Sequence, residues 1–134
     1  MKPAPFDKVA LTRHRLKQAQ DTLHDAHVLH EQGGTPTSIV NRSYYAIFYA
    51  VMALIGTLSV NQDFSKHKGV IAIFDREFIK KKIFPREFSK ILHEAFEARQ
   101  EGDYREASKI DRAKANAILK SADEFIAIVA QKLQ

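Results

Sequence analysis

An all-α fold, a five-helix up-and-down bundle, is what the 134-residue sequence predicts. Three observations carry that prediction. Apolar residues recur at helical spacing along most of the chain. No stretch alternates apolar and polar residues as a half-buried strand would. Glycine and proline cluster where such segments end, at Gly33, Gly34, Pro36, Gly56, Pro85 and Gly102, leaving five helical stretches joined by short links within one domain, residues 1–134.

Helix one is expected from about Phe6 to Gln32. Val9, Leu16 and Leu23 recur every seven residues with Ala19 and Ala26 beside them, which makes one stripe for the core. Gly33 and Gly34 end it. Helix two is the stretch around which the others are arranged, Ser38 to Gly56, SIVNRSYYAIFYAVMALIG. Thr35 is a suitable N-cap, Pro36 suits the first helical position, and Gly56 can close the helix. Its interior is apolar nearly all the way round, so it must be covered on most sides. Asn41, Arg42, Ser43, Tyr44 and Tyr45 make its first turns polar, which argues against a membrane span and marks that end for attention.

A mostly polar loop, about Thr57 to Phe64, comes next. Helix three is expected from near Ser65, with Val70, Ile71, Phe74 and Phe78 at helical spacing and Lys80, Lys81 and Lys82 near its end, where cations suit the helix dipole. Pro85 opens helix four, whose face is Phe88, Ile91, Leu92, Ala95 and Phe96, and Gly102 is expected to break it. Helix five, about Ser108 to Leu133, carries the stripe Ala115, Ile118, Leu119, Ala122, Phe125, Ile126, Val129 and Leu133.

Composition narrows the function. There is no cysteine, so disulfide frameworks and cysteine zinc sites are excluded. The N-terminus has no long apolar run of the signal-peptide kind. No segment reaches the roughly 18 consecutive apolar residues of a spanning helix. These features lead to the expectation of a cytoplasmic protein without a membrane partner. A formal net charge of +5 permits RNA or nucleotide phosphate as a partner without requiring it.

Several side chains are candidates for chemistry. Arg99 continues the apolar face of helix four one turn beyond Phe96. It reads either as a snorkelling side chain whose stem packs, or as a phosphate-binding arginine at a cleft. Asn41, on the face continued by Tyr45, Phe48 and Met52, reads either as a satisfied polar group near a helix start or as a site residue. Arg42 suits a surface ion pair. His24, His27 and His30 drift round helix one and read as a solvated face rather than a metal site. His93 and Glu97 suit an ordinary surface pair, and His67 a polar first turn. No glycine-rich phosphate loop or nucleophile elbow is present, and neither metal nor cofactor is expected.

Taken together, NRSYYAIFYAVMALI, SKHKGVIAIF, FEARQEGDY and a long final helix with ADEFI resemble the HEPN domain, the higher eukaryotes and prokaryotes nucleotide-binding family, in its small stand-alone prokaryotic type. The resemblance covers nearly the whole chain. It implies a small helical bundle that commonly dimerises. Many members are metal-independent endoribonucleases, often toxins, and others are encoded beside or fused to small nucleotidyltransferases. The family's catalytic signature is an arginine followed four to six residues later by a histidine, helped by a polar residue on an earlier helix. Arg99 matches the arginine and Asn41 the polar helper. After four intervening residues, where the histidine is expected, stands Tyr104. A tyrosine with its ordinary pKa of about 10 is a poor proton acceptor at neutral pH.

The resemblance therefore implies three readings. The first is a toxin-like ribonuclease with Arg99, Tyr104 and Asn41 as catalytic residues and Arg42 and Tyr45 binding substrate. The second is a nucleotide- or substrate-binding subunit paired with a small nucleotidyltransferase antitoxin. The third is a structural dimerisation module. A homodimer is expected because helix two is apolar on all faces. Strict alternation of five helices would place the start of helix two and the end of helix four at opposite ends, separating Asn41 from Arg99, whereas the resemblance implies that they meet, through a less regular arrangement or across a dimer.

Overall fold

The computed structural model describes residues 7–58, 67–104 and 110–134. All the regular elements among them are helical: α1 Lys8–Glu31, α2 Pro36–Ile55, α3 His67–Phe74, α4 Arg86–Tyr104 and α5 Arg112–Leu133, with a short π-helical segment, Asp75–Ile79, extending α3.

Local chemistry accounts for the helix ends. The Asp7 side chain accepts from the Ala10 amide at 3.0 Å and opens α1. Gly33 stops it with φ of 74°, the left-handed region where a Cβ is costly. The Gly34 amide then donates to the Leu29 carbonyl at 2.6 Å. A Cβ on Gly34 would lie 2.8 Å from that carbonyl oxygen, so only glycine allows so tight a link. Thr35 caps α2 through the Ser38 amide, with Pro36 in the first turn as expected. Asp111 caps α5 through the Lys114 amide at 2.8 Å. The first residues expected in helix five lie outside the described residues, as does most of the loop after Thr57.

Two details of the stripes differ from the sequence reading. Val9 is 60% exposed, at the end of the bundle, where it lines a shallow pocket with Thr57 and Leu133. The face of α1 becomes fully buried at Ala19 and Ala26. Gly102 does not break helix four, which runs on to Tyr104. A Cβ there would stand 3.2 Å from Thr37 Cγ2, so Gly102 lets the last turn of α4 approach the first turn of α2.

That approach sets the topology. Lys8 Nζ reaches the Leu58 carbonyl, so α1 and α2 are antiparallel. Arg112 Nη2 donates to the Gly34 carbonyl at 3.0 Å, so α5 starts beside α2 and runs with it. The end of α4 meets the start of α2, so these two are antiparallel. The reason lies in α3. It begins beside Phe48, part-way along α2, and ends at Phe74 against Phe125, so it does not occupy one full alternating position. The long helices α1, α2, α4 and α5 alternate in direction, and the start of α2 and the end of α4 share one end of the bundle.

Helix α2 is the buried centre. Ile39, Val40, Tyr44, Ala46, Ile47, Ala50 and Val51 are fully enclosed by the other helices. By length and mean hydropathy α2 could cross a membrane, yet 67% of its most apolar window is buried inside this fold. The single chain thus covers the apolar faces from which a second copy was inferred, and only Tyr45, Tyr49 and Met52 of its larger apolar and aromatic residues stay half-buried.

Candidate functional site

Consecutive tyrosines on α2 point to different environments because successive residues on a helix are about 100° apart. Tyr44 is fully buried, while Tyr45 is half-buried at the edge. Arg99, one turn beyond Phe96 on α4, lies against both. Its guanidinium carbon stands 5.9 Å from the Tyr44 ring centre and 5.4 Å from that of Tyr45. Its Nη2 donates to the Tyr45 hydroxyl at 3.1 Å. The head of Arg99 is thus held over two aromatic rings. Such a seat orients a planar cation and weakens its hold on water.

His67 completes the cluster from α3. Its Nδ1 is 2.8 Å from the Tyr44 hydroxyl. Its ring stacks on Phe48 with centroids 4.3 Å apart and meets the edge of Tyr45 at 5.8 Å. Burial, and secondarily the positive Arg99, hold the His67 pKa below its ordinary value, which favours the neutral ring. Burial also raises the Tyr44 pKa, with Arg99 partly opposing, so the phenol keeps its proton. The sequence offered no sign of this role for His67. A histidine in a helical first turn looks solvated until the fold sets α3 against Tyr44 and Phe48.

Beside this cluster the start of α2 and the end of α4 line a groove of about 410 Å³, formed by Leu29, Thr37, Ser38, Asn41, Arg42 and Gly102. Asn41 Oδ1 accepts from Arg42 Nε at 3.2 Å and Nη2 at 3.0 Å. Arg42 also lies over the Tyr45 ring at 5.2 Å. Among the described residues Arg42 makes no ion pair, contrary to the surface pairing expected of it. Asn41, Arg42, Tyr45 and Arg99 thus form a chain of contacts from the groove to the aromatic cluster. Two guanidinium groups flank the Tyr45 ring, an arrangement suited to phosphate. The side chain of Tyr104 lies outside the described residues, although its backbone ends α4 next to this groove.

Two further histidines have structural partners. His93 pairs with Asp75 at 2.7 Å rather than with Glu97, because Asp75 at the start of the π-helical segment faces α4 and also accepts from Ser89 Oγ. His27 bonds Asp123 at 2.6 Å and ties α1 to α5. Among the described residues no three histidine, aspartate or glutamate side chains converge as a metal site.

Comparison with known proteins agrees with this architecture. Residues 12–133 match the HEPN domain. A UPF0332 protein of Thermotoga maritima is 35% identical over 120 residues, covering 90% of this chain and 89% of its own. A protein of Methanocaldococcus jannaschii named "Putative toxin MJ0142" is 36% identical over 87 residues, 65% of this chain and 58% of that relative. With the family match spanning all the long helices and the site at their shared end, the chain belongs to the HEPN family.

Proposed function

We propose that the protein is a metal-independent endoribonuclease of the toxin type, acting on RNA at the groove where α2 and α4 meet. The observation that carries this reading is the seat of Arg99, fixed by the Tyr45 hydroxyl and two aromatic faces beside a groove lined by Asn41 and Arg42. A fixed guanidinium stabilises charge on a phosphorane better than a mobile one, because it needs no reorganisation during the reaction. Relatives named as candidate toxins support the same reading. In the reaction the ribose 2′-oxygen attacks the adjacent phosphorus. Arg99 takes the developing negative charge, Asn41 holds Arg42 toward the phosphate, and Tyr104 donates a hydrogen bond.

The test is cleavage of a defined RNA by purified protein in EDTA. Arg99→Ala is expected to lower cleavage by about 10²- to 10³-fold with helicity and melting temperature nearly unchanged. A variant that simply unfolds would assign Arg99 to packing. Tyr104→His is expected to raise cleavage and Tyr104→Phe to lower it, and equal rates in all three proteins would remove Tyr104 from the site.

One observation favours a second reading. The position expected for the motif histidine holds Tyr104. A subunit that binds RNA or a nucleotide for a small nucleotidyltransferase partner needs the arginines but no proton acceptor at that position. Nucleotide binding that survives in a protein unable to cleave any RNA would favour it. A homodimer belongs to either reading through the family, and sedimentation at micromolar concentration tests it. A dimer without binding or cleavage would leave only an assembly role.

A further inference from the structure

We infer that His67 is the proton acceptor of this site, supplying from α3 the chemistry that the motif position on α4 lacks. The inference rests on the ribonuclease reading and deepens it. A base in such a reaction must be neutral near pH 7, fixed in orientation and close to the group that stabilises the phosphate. His67 meets each requirement. Its ring is clamped by stacking on Phe48 at 4.3 Å and by the Tyr44 hydroxyl at 2.8 Å on Nδ1. It meets the same Tyr45 ring over which Arg99 lies. Among the described residues Nε2 has no hydrogen-bond partner, although the ring is half-buried.

The hydrogen bond to Tyr44 occupies Nδ1 and leaves Nε2 as the open ring nitrogen. In the tautomer that carries its hydrogen on Nδ1, the ring donates to the Tyr44 oxygen and Nε2 keeps its lone pair. Tyr44 then acts as the orienting group of a base–orienter pair, as a positioning residue without contact to substrate. The step balances as follows. The 2′-O–H bond breaks and its proton passes to Nε2. The 2′-oxygen forms a bond to phosphorus, the bond from phosphorus to the 5′-oxygen breaks, and the leaving oxygen takes a proton from water. The imidazolium returns its proton to solvent, a release favoured by the neighbouring positive Arg99. The products are a 2′,3′-cyclic phosphate and a 5′-hydroxyl.

The experiment uses the full chain, a short labelled RNA and EDTA, with product ends identified. The expected result is that the wild type yields cyclic-phosphate ends and that His67→Ala lowers the rate by about 10²- to 10⁴-fold. Added imidazole should restore part of that loss in His67→Ala and none in Arg99→Ala. In His67→Asn, which can still hydrogen-bond Tyr44, the residual rate should lose the acidic limb of the pH profile. Wild-type cleavage matched by both His67 variants would overturn the role of His67 and leave the ribonuclease reading standing. Loss of activity in a folded His67→Ala without imidazole rescue, together with an unchanged pH profile in His67→Asn, would make His67 a packing residue and likewise overturn it. A wild type that cleaves no RNA would overturn both.

Discussion

Two aromatic clusters lie in this small bundle, and they differ in what their rings carry. One joins the π-helical segment to α4 and α5. It consists of Phe74, Phe78, Phe84, Phe88 and Phe125, with Phe125 centred 5.7 Å from Phe74 and 5.2 Å from Phe88. The other joins α2, α3 and α4 and consists of Tyr44, Tyr45, Phe48, His67 and Phe96, with Arg99 over the tyrosines. Ring spacings are similar. The phenylalanine cluster has no polar ring atoms, and its cation, Lys132, touches Phe84 from an exposed position. In the second cluster the hydroxyls and the imidazole are hydrogen-bonded to one another or to the guanidinium. Apolar packing alone would be served better by phenylalanine at all these positions, since buried polar atoms add a desolvation cost that hydrogen bonds only offset. The polar groups in the second cluster are those on which the proposed ribonuclease site is built.

The widest separation between the clusters should appear on truncating one ring in the dry one. Phe125 is fully buried, so Phe125→Ala is expected to cost about 3–5 kcal/mol of stability. The fraction still folded should cleave RNA at the wild-type rate. Arg99→Ala should show the reverse, and denaturant melts beside cleavage rates on both proteins would expose any mixing of the two roles.

A smaller effect is expected from Tyr45→Phe, which keeps the ring under Arg99 and removes its hydrogen bond. The loss should be about tenfold in cleavage, or about 1.4 kcal/mol, with a melting temperature close to wild type. A drop in stability without a change in rate would mean that the hydroxyl serves packing only.

Proton linkage gives a subtler contrast. The His67 pKa is lowered by burial and then by Arg99, so the unfolded chain takes up that proton first as pH falls. The stability associated with neutral His67 is fully present above the unfolded value of about 6.5 and declines as pH drops toward the folded pKa. The difference in melting temperature between wild type and His67→Asn should therefore shift against the wild type between pH 7.5 and pH 5. A constant difference would show that His67 does not titrate differently on folding.

The smallest effect belongs to the loop beneath the phenylalanine cluster. Lys82 has φ of 61°, and the Ile83 and Phe84 amides both return to the Phe78 carbonyl at 2.9 Å. Lys82→Gly relieves the Cβ strain and is expected to stabilise the fold by about 0.5–1 kcal/mol without altering cleavage. Thermal melts would detect it, and a destabilised variant would show that the lysine side chain holds the turn.

The helical content, the helix ends at Asp7, Thr35 and Pro36, and the buried stripes of α2, α4 and α5 follow from residue spacing and caps, which act within a few residues and are therefore legible in a linear sequence. Arg99 was visible for the same reason, as a cation on an otherwise apolar face. The direction of α4 relative to α2 was not, because it depends on where α3 begins along α2, a long-range choice made by His67 stacking on Phe48 at one end of α3 and Phe74 packing on Phe125 at the other. For that reason the sequence left open whether Asn41 and Arg99 meet, while the fold brings the start of α2 and the end of α4 to one groove. Gly102 misled for a related reason: glycine as a helix breaker and glycine as a point of close helix contact have the same local signature. His67 depended entirely on the tertiary structure, since a histidine's environment, and with it its protonation, is set by neighbours that are distant in sequence.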